Sequence, residues 1–181
     1  GLDTGSRAIG HEKKGGMVFH DCLPLCIISP SSVLIKKQLW EEVGYFDEAL
    51  PACEDYDLWL RVCAIYPVLF IDEPLTIKYG GHEDQLSKKY WGMDRFRIQA
   101  LAKVLTSGVA IGADKRAACT MLHKKCKILI KGAVKHKNQA VQDYCMALMK
   151  RHPLDFDADL RSAVPVSELT TKNLQPMIHE Y

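Results

Sequence analysis

The chain has 181 residues, of which 48% are hydrophobic and 25% are charged, an ordinary composition for a globular domain with an appendage. No run of about 18 apolar residues occurs, so the sequence predicts no membrane-spanning helix. The net charge of +2 hides an asymmetry, because residues 1–85 carry a balance of −7, residues 86–152 one of +12 and residues 153–181 one of −3. Such a split indicates segments with different partners.

The seven cysteines are odd in number and lie in apolar contexts. This pattern favours buried thiols in a reducing compartment over a disulfide framework, so we expect a cytoplasmic protein. The chain starts with Gly1 and shows no signal-peptide pattern, which predicts that these residues continue a longer protein.

Residues 26–90 alternate between β-rich and helical patterns. A helix is predicted over 36–43, and Gly44 follows it where a left-handed C-terminal cap belongs. A second helix is predicted from about Asp55, because apolar residues recur at helical spacing from residue 58 to residue 65. Short strands are predicted at 33–35, 68–71 and 75–79.

Beyond residue 92 the pattern is helical. Helices are predicted at 93–106, 114–134 and 139–150, followed by a proline-containing tail over 153–181. We therefore divide the chain into residues 1–90, a basic helical extension over 91–152, and the tail.

One segment carries a motif, Gly-x-Phe-Asp-Glu over 44–48, followed by Glu-Asp-x-Asp-Leu-x-x-Arg over 54–61. Together with Asp-Glu-Pro-Leu at 72–75 and a His at 82 followed by a Ser at 87, it resembles the acceptor-side half of family 2 nucleotide-sugar glycosyltransferases. The resemblance implies an α/β (α+β) fold: a partial GT-A type mixed sheet with helices over 1–90, followed by the all-helical extension.

In that family the second acidic residue of the Glu-Asp pair is the general base, so the resemblance assigns catalysis to Asp55, with Glu54 beside it. A carboxylate at a helix N-terminus is held ionised, as a base requires. The alternative is that Asp55 is simply the N-cap of the helix.

Asp57 lies four residues before Arg61, and such a pair on an exposed helix face contributes about 0.3–0.5 kcal/mol. Asp55 and Asp57 would point about 200° apart on a helix, so we reject them as a metal-binding Asp-x-Asp. The resemblance also assigns substrate binding to Asp57, Trp59, and Ser31 and Ser32 of the substrate loop.

His82 lies where the resemblance places a histidine that contacts the metal–diphosphate, so it implies Mn²⁺ or Mg²⁺ as cofactor. The alternative is a loop histidine beside two acidic residues. The nucleotide-binding loop and metal carboxylates of the family have no counterpart before residue 26, so we expect the nucleotide-binding half to be missing and the isolated chain to be inactive.

The partners implied are a nucleotide-sugar donor and a growing glycan or lipid-linked acceptor, with polysaccharide biosynthesis as the setting and peripheral membrane association left open. Nucleic acid is not expected, because no reading motif is present. Two alternatives remain. The basic helices could make this a non-catalytic module that binds a polyanion or a partner protein, or their lysines could dock on the acidic half of the chain.

Overall fold

A computed structural model describes residues 13–76, 90 and 92–154. In this part of the chain the regular elements are helices and one 3₁₀ turn, Pro30–Ser32. The helices are α1 (Phe19–Cys22), α2 (Lys37–Val43), α3 (Glu54–Cys63), α4 (Asp94–Ser107), α5 (Gly112–Lys135) and α6 (Gln139–Arg151).

Helix α3 lies at the centre of the described structure, in contact with α1, α2 and α4, while α5 packs against α1, α4 and α6. Five consecutive α3 residues, 56–60, are buried, as expected for a helix covered on all sides. Four of them, all except Asp57, share one hydrophobic core with Ile98 and Leu101 of α4 and Leu122 of α5. The core is therefore continuous from the motif segment to the C-terminal helices. The division at residue 90 stays a prediction.

The predicted mixed sheet is wrong for the residues that the structure describes. Their β-structure consists of one isolated antiparallel bridge between Gly16 and Val68. Val33 and Lys36 have extended backbone angles, but residues 33–36 belong to no strand. Leu34 is fully exposed and Leu69 is 89% exposed. A β-branched run becomes a strand only where a neighbouring strand supplies hydrogen bonds and a packing surface, which local sequence does not encode. Residues 77–79 lie outside the described range.

The bridge depends on Gly15. A Cβ at this position would lie 2.7 Å from the carbonyl oxygen of Val68, closer than a side chain tolerates. Gly15 therefore allows the N-terminal segment to approach the backbone of residues 68–70 directly.

The four helices predicted outside the motif segment are confirmed within two residues at each end. Gly44 terminates α2 as predicted, with its N–H bonded to the carbonyl of Trp40. Its φ is +82°, but its ψ of 166° lies outside the left-handed helical region. Within the described residues, no helix combines the length and the apolar character that a membrane crossing requires. Most of the predicted tail, residues 155–181, is outside the described range.

Candidate active site around the start of helix α3

Helix α3 begins one residue earlier than predicted, at Glu54, and its N-cap is Cys53 rather than Asp55. Cys53 adopts a left-handed conformation with φ 63°, which is uncommon for a residue other than glycine, and its side chain is buried. Burial raises the pKa of the Cys53 thiol to about 11. The prediction that Asp55 is the N-cap is therefore wrong: Asp55 is the second residue of the helix.

The Asp55 carboxylate contacts a thiol from a distant part of the chain. Its Oδ1 accepts a hydrogen bond from the backbone N–H of Tyr56 at 2.7 Å, and its Oδ2 accepts one from the thiol of Cys26 at 3.3 Å. Burial raises the pKa of the Cys26 thiol, and the charge of Asp55 raises it further. The thiol therefore remains protonated and donates to the carboxylate at neutral pH.

Tyr56 anchors the start of α3 to the segment that follows α1. Its buried hydroxyl donates to the carbonyl of Leu23 at 2.6 Å, and burial raises the pKa of this phenol. This contact and the thiol of Cys26 bring residues 23–26 against the first turn of α3. The position of Asp55 is thus set by tertiary contacts as well as by the helix.

Asp57 occupies a different environment, although it is only two residues away. It is 1% exposed, and its Oδ2 accepts hydrogen bonds from Nε and Nη2 of Arg61 at 3.2 and 3.1 Å, which confirms the predicted i, i+4 pair. Its Oδ1 lies 2.8 Å from Nζ of Lys103, an ion pair without hydrogen-bond alignment. The assumption of an exposed pair is therefore wrong: the Asp57 charge is buried between two cations.

The same two cations hold the Gly-x-Phe-Asp-Glu loop. Lys103 of α4 also pairs with Asp47 at 2.5 Å, and this hydrogen bond lowers the pKa of the Asp47 carboxyl. The guanidinium of Arg61 donates to the carbonyls of residues 43, 44 and 45. Both halves of the motif are therefore fastened to each other and to α4. We refer to Asp47, Asp57, Arg61 and Lys103 as the ionic clamp.

Trp59 lies one helical turn after Asp55, on the same side of α3. It lines a small cavity of about 180 Å³ together with a mainly apolar set: Pro30, Val33, Ile35, Trp40 and Phe46. Trp59 is 3% exposed, and among the described residues its indole N–H has no hydrogen-bond partner. We refer to this cavity as the aromatic pocket.

Ser31 and Ser32 are exposed on the 3₁₀ turn beside Pro30, and neither lines the aromatic pocket. Their hydroxyls bond within the turn, that of Ser31 with Ser29 and that of Ser32 to the carbonyl of Ser29. Pro30 of this turn and Trp59 line the same pocket, and Asp55 precedes Trp59 by one helical turn. Their roles in catalysis and substrate binding stay predictions.

A metal site is not formed by the described residues, which contain no group of three or more histidine, cysteine, aspartate or glutamate side chains placed to hold an ion. The Asp57 carboxylate forms ion pairs with Arg61 and Lys103, and the Asp55 carboxylate accepts a hydrogen bond from the thiol of Cys26. These residues do not fit the implied Mn²⁺ or Mg²⁺. His82 lies outside the described range.

Comparison with known families tests the resemblance that this motif carries. The family model described as glycosyltransferase-like family 2 matches residues 13–111, which include the clamp, the aromatic pocket and helix α4. The chain belongs to glycosyltransferase-like family 2. The match extends past residue 90, so the family region includes the helix that supplies Lys103.

Three bacterial relatives are similar to part of this family 2 chain. Uncharacterized glycosyltransferases of Rickettsia felis and Rickettsia conorii are each 44% identical over 69 residues, and one of Rickettsia bellii is 41% identical over 69 residues. Each match covers 37% of this chain but only 10–11% of the relative. The chain therefore spans about a tenth of the length of these curated relatives. No solved structure matches it.

The residues that contact the family 2 motif although they are far from it along the chain were not predicted from the sequence. Cys26 lies 29 residues before Asp55, and Lys103 lies 46 residues after Asp57. The excess of basic residues in 86–152 indicated docking on the acidic half, but a charge balance cannot select one lysine. For Cys26 the sequence offered no signal beyond its place in an apolar run.

A larger open groove of about 600 Å³ lies between α4 and α6. Lys103, Tyr144 and Arg151 are among its lining residues. It contains none of the site residues predicted from the sequence, so it does not define the candidate active site.

Proposed function

We propose that this chain contributes the acceptor side of a glycosyltransferase that moves a sugar from a nucleotide-sugar donor to a glycan or lipid-linked acceptor. Family membership supports glycosyl transfer in general. The relatives are named as glycosyltransferases, although the chain covers only a small part of each. Beyond family membership, we propose the class of donor, the class of acceptor and the identity of the general base.

The contrast between the two motif carboxylates is the observation that carries the assignment of the base. Asp57 is neutralised by Arg61 and Lys103, whereas Asp55 has no cation partner among the described residues. The oxygens of Asp57 are bound by two cations and are not available to an acceptor hydroxyl, while Asp55 lies at the positive end of α3 with only a neutral thiol and one amide bound to it. We therefore assign the base to Asp55, with Glu54 as its acidic neighbour.

In the proposed step, Asp55 removes the proton of an acceptor hydroxyl as that oxygen attacks the anomeric carbon of the donor sugar. The new bond joins the acceptor oxygen to this carbon, the bond between the carbon and the diphosphate breaks, and the nucleoside diphosphate leaves with the electron pair. The role of the ionic clamp is to hold the loop and helix that frame Asp55. We also propose that His82 contacts a metal–diphosphate, and proton removal by Asp55 does not depend on that contact.

The experiment compares three carboxylate variants in the full-length protein. Release of nucleoside diphosphate from a panel of uridine and guanosine diphosphate sugars identifies a donor, and the acceptor-dependent rate is then measured with that donor. We expect Asp55→Asn to lower this rate by about 10²–10⁴-fold, because general-base catalysis contributes about that much.

The matched controls are Glu54→Gln and Asp57→Asn, each of which changes one neighbouring carboxylate to its amide. If the Asp55→Asn protein is folded and transfers sugar at the parental rate, the assignment of the base is wrong.

A further inference from the structure

Helix α5 carries a row of lysines on the side that faces away from the core. Leu122 and Cys126 are fully buried against the neighbouring helices. The exposed lysines recur at spacings of three or four residues: Lys124, Lys127, Lys131 and Lys135. At about 100° per residue they fall within an arc of about 80°, roughly opposite those buried side chains, and they follow the helix for roughly 16 Å. We refer to these four lysines as the basic row.

The charge of the basic row is not compensated by neighbouring residues. Residues 115–142 contain eight lysines and arginines and no aspartate or glutamate. In the described part of the chain the lysines that form ion pairs are others, Lys103 and Lys125 among them, and no lysine of the basic row has an ion-pair partner there. Like charges four residues apart, such as those of Lys127 and Lys131, repel each other and destabilise a helix. The basic row therefore lowers the stability of α5, which indicates a role other than holding the fold.

Two exposed aliphatic side chains flank the basic row. Ile128 is 54% exposed and Val134 is 56% exposed, and their helical angles place them on opposite sides of the row. Lysines that extend their charged ends toward phosphates, next to aliphatic side chains that enter the acyl boundary, are typical of a helix that lies in the interface of a bilayer. This face of α5 therefore combines charges for anionic headgroups with apolar side chains for the layer beneath them.

Nucleic acid fits this face less well than a bilayer does, although it also presents phosphates. Residues 112–135 contain no phenylalanine, tyrosine or tryptophan, so bases would have no aromatic surface on which to stack. A phosphate backbone also offers no apolar contact to Ile128 or Val134, whereas a bilayer offers both kinds of contact. The lysines and the aliphatic side chains together favour lipid.

We propose that this face of α5 is a docking surface for an anionic lipid bilayer, with the helix lying parallel to the membrane surface. The basic row binds the headgroup phosphates, and Ile128 and Val134 enter the boundary with the acyl chains. The inference does not rest on the assignment of the base or of the acceptor. It places the chain at the surface where a lipid-linked acceptor would be found.

The test is co-sedimentation of the full-length protein with vesicles of phosphatidylcholine alone and of phosphatidylcholine mixed with phosphatidylglycerol. We expect the parent protein to bind the mixed vesicles more tightly, and we expect this preference to weaken as the salt concentration rises. Lys127→Gln combined with Lys131→Gln should lower partitioning to the mixed vesicles by roughly 25-fold, because each lysine near an anionic surface contributes about a factor of five.

The matched control is Lys36→Gln combined with Lys37→Gln, which removes the same charge from two exposed lysines at the start of α2. This variant should bind the mixed vesicles as the parent does, so it separates the basic row from the net charge. The thermal unfolding midpoint of the variant with Lys127→Gln and Lys131→Gln should not fall, because both lysines are exposed and their repulsion is removed.

Ile128→Gln tests the apolar part of the surface. Burying the exposed half of an isoleucine side chain is worth roughly a 4- to 15-fold gain in partitioning, so this variant should bind the mixed vesicles more weakly by about that factor. The effect should persist at high salt, where the contribution of the lysines is screened. A loss of that size at high salt supports insertion of the side chain into the bilayer.

Three results would overturn the inference. The first is a parent protein that does not distinguish the two kinds of vesicle, and the second is a variant of Lys127 and Lys131 that binds the mixed vesicles as the parent does. The third is binding to a duplex oligonucleotide without binding to the mixed vesicles, which would make the basic row a surface for nucleic acid. Each of these results leaves the role of Asp55 untouched, because the vesicle assay contains no donor sugar.

Discussion

At the scale of single residues, the environment of Asp55 depends on a thiol. Cys26 donates to Asp55 and also to the carbonyl of Ile28 at 3.1 Å, so its proton is held between two acceptors. Burial and the nearby carboxylate both raise the pKa of this thiol. A reactive thiolate at this position would place two negative charges side by side, and the structure avoids this by keeping the thiol neutral.

Cys26 is therefore expected to be unreactive in the folded protein. At pH 8 a free cysteine is partly ionised, but a thiol with a raised pKa is not, and only the thiolate attacks disulfide reagents. The measurement is the rate of reaction with dithionitrobenzoate, first in the native protein and then in urea, where all seven thiols should react.

The Cys26→Ser variant identifies the contribution of this residue. If the native protein contains a rapidly reacting thiol at pH 8 and the Cys26→Ser variant lacks it, then Cys26 is ionised in the folded protein. That result would contradict the raised pKa of its thiol.

At the scale of elements, the ionic clamp joins α3, α4 and the loop between α2 and α3. Asp57→Ala removes two charge-assisted hydrogen bonds from Arg61, whereas Lys103 is 42% exposed and keeps its pair with Asp47. Hydrogen bonds to charged groups contribute about 1.5–3 kcal/mol. We therefore expect Asp57→Ala to lower the free energy of unfolding by about 1.5–3 kcal/mol, more than the 0.3–0.5 kcal/mol of an exposed pair. Urea denaturation monitored by tryptophan fluorescence measures this change.

The control is Asp57→Asn, which keeps the shape and an oxygen acceptor for Arg61 and should destabilise less than alanine. A loss below 1 kcal/mol for Asp57→Ala would mean that the charge pair is effectively solvated, contrary to its 1% exposure.

At the scale of the whole molecule, the basic region docks on the acidic region through a few defined contacts. Lys103 pairs with Asp47 and Asp57, and Lys125 donates to the carbonyl of Pro24 while pairing with Asp94. Burial alone would raise the pKa of Asp94, but hydrogen bonds from Lys125 and Arg97 outweigh it and lower that pKa. The docking predicted from the charge balance is therefore confirmed for Lys103, while lysines such as those at 124, 127 and 131 on α5 are exposed.

The contribution of Lys103 to stability should depend on pH. The pKa of Asp47 is lower in the folded chain than its ordinary value of 3.8, so the stabilisation is present above about pH 4 and is lost as the pH falls through the lowered value. We expect Lys103→Met to reduce the free energy of unfolding by about 1–2 kcal/mol at pH 7. This difference should stay constant down to about pH 5 and shrink below pH 4.

Denaturation at a series of pH values tests this, with Lys103→Arg as the control that keeps the charge. A difference between parent and Lys103→Met that grows as the pH is lowered would contradict the assignment.

The sequence predicted local features of the fold better than distant ones. Helices α4 to α6 and the Asp57–Arg61 pair depend on spacings within one or two turns, and they were predicted correctly. The strands were not, because β-rich runs such as 33–35 and 68–71 need partners that local sequence does not specify. The site divides in the same way, since Asp55 and Trp59 lie in the motif, whereas Cys26 and Lys103 reach it only through the tertiary fold.

The most direct test of the central claim is chemical rescue of the proposed base. In Asp55→Gly the carboxylate is removed and space is left for a small carboxylate from solution, so sodium formate should restore part of the lost transfer, while sodium chloride at the same ionic strength should not. The measurement is the acceptor-dependent release of nucleoside diphosphate by the full-length protein. A folded Asp55→Gly variant that transfers sugar at the parental rate, or that responds equally to formate and chloride, would contradict the role of Asp55 as general base.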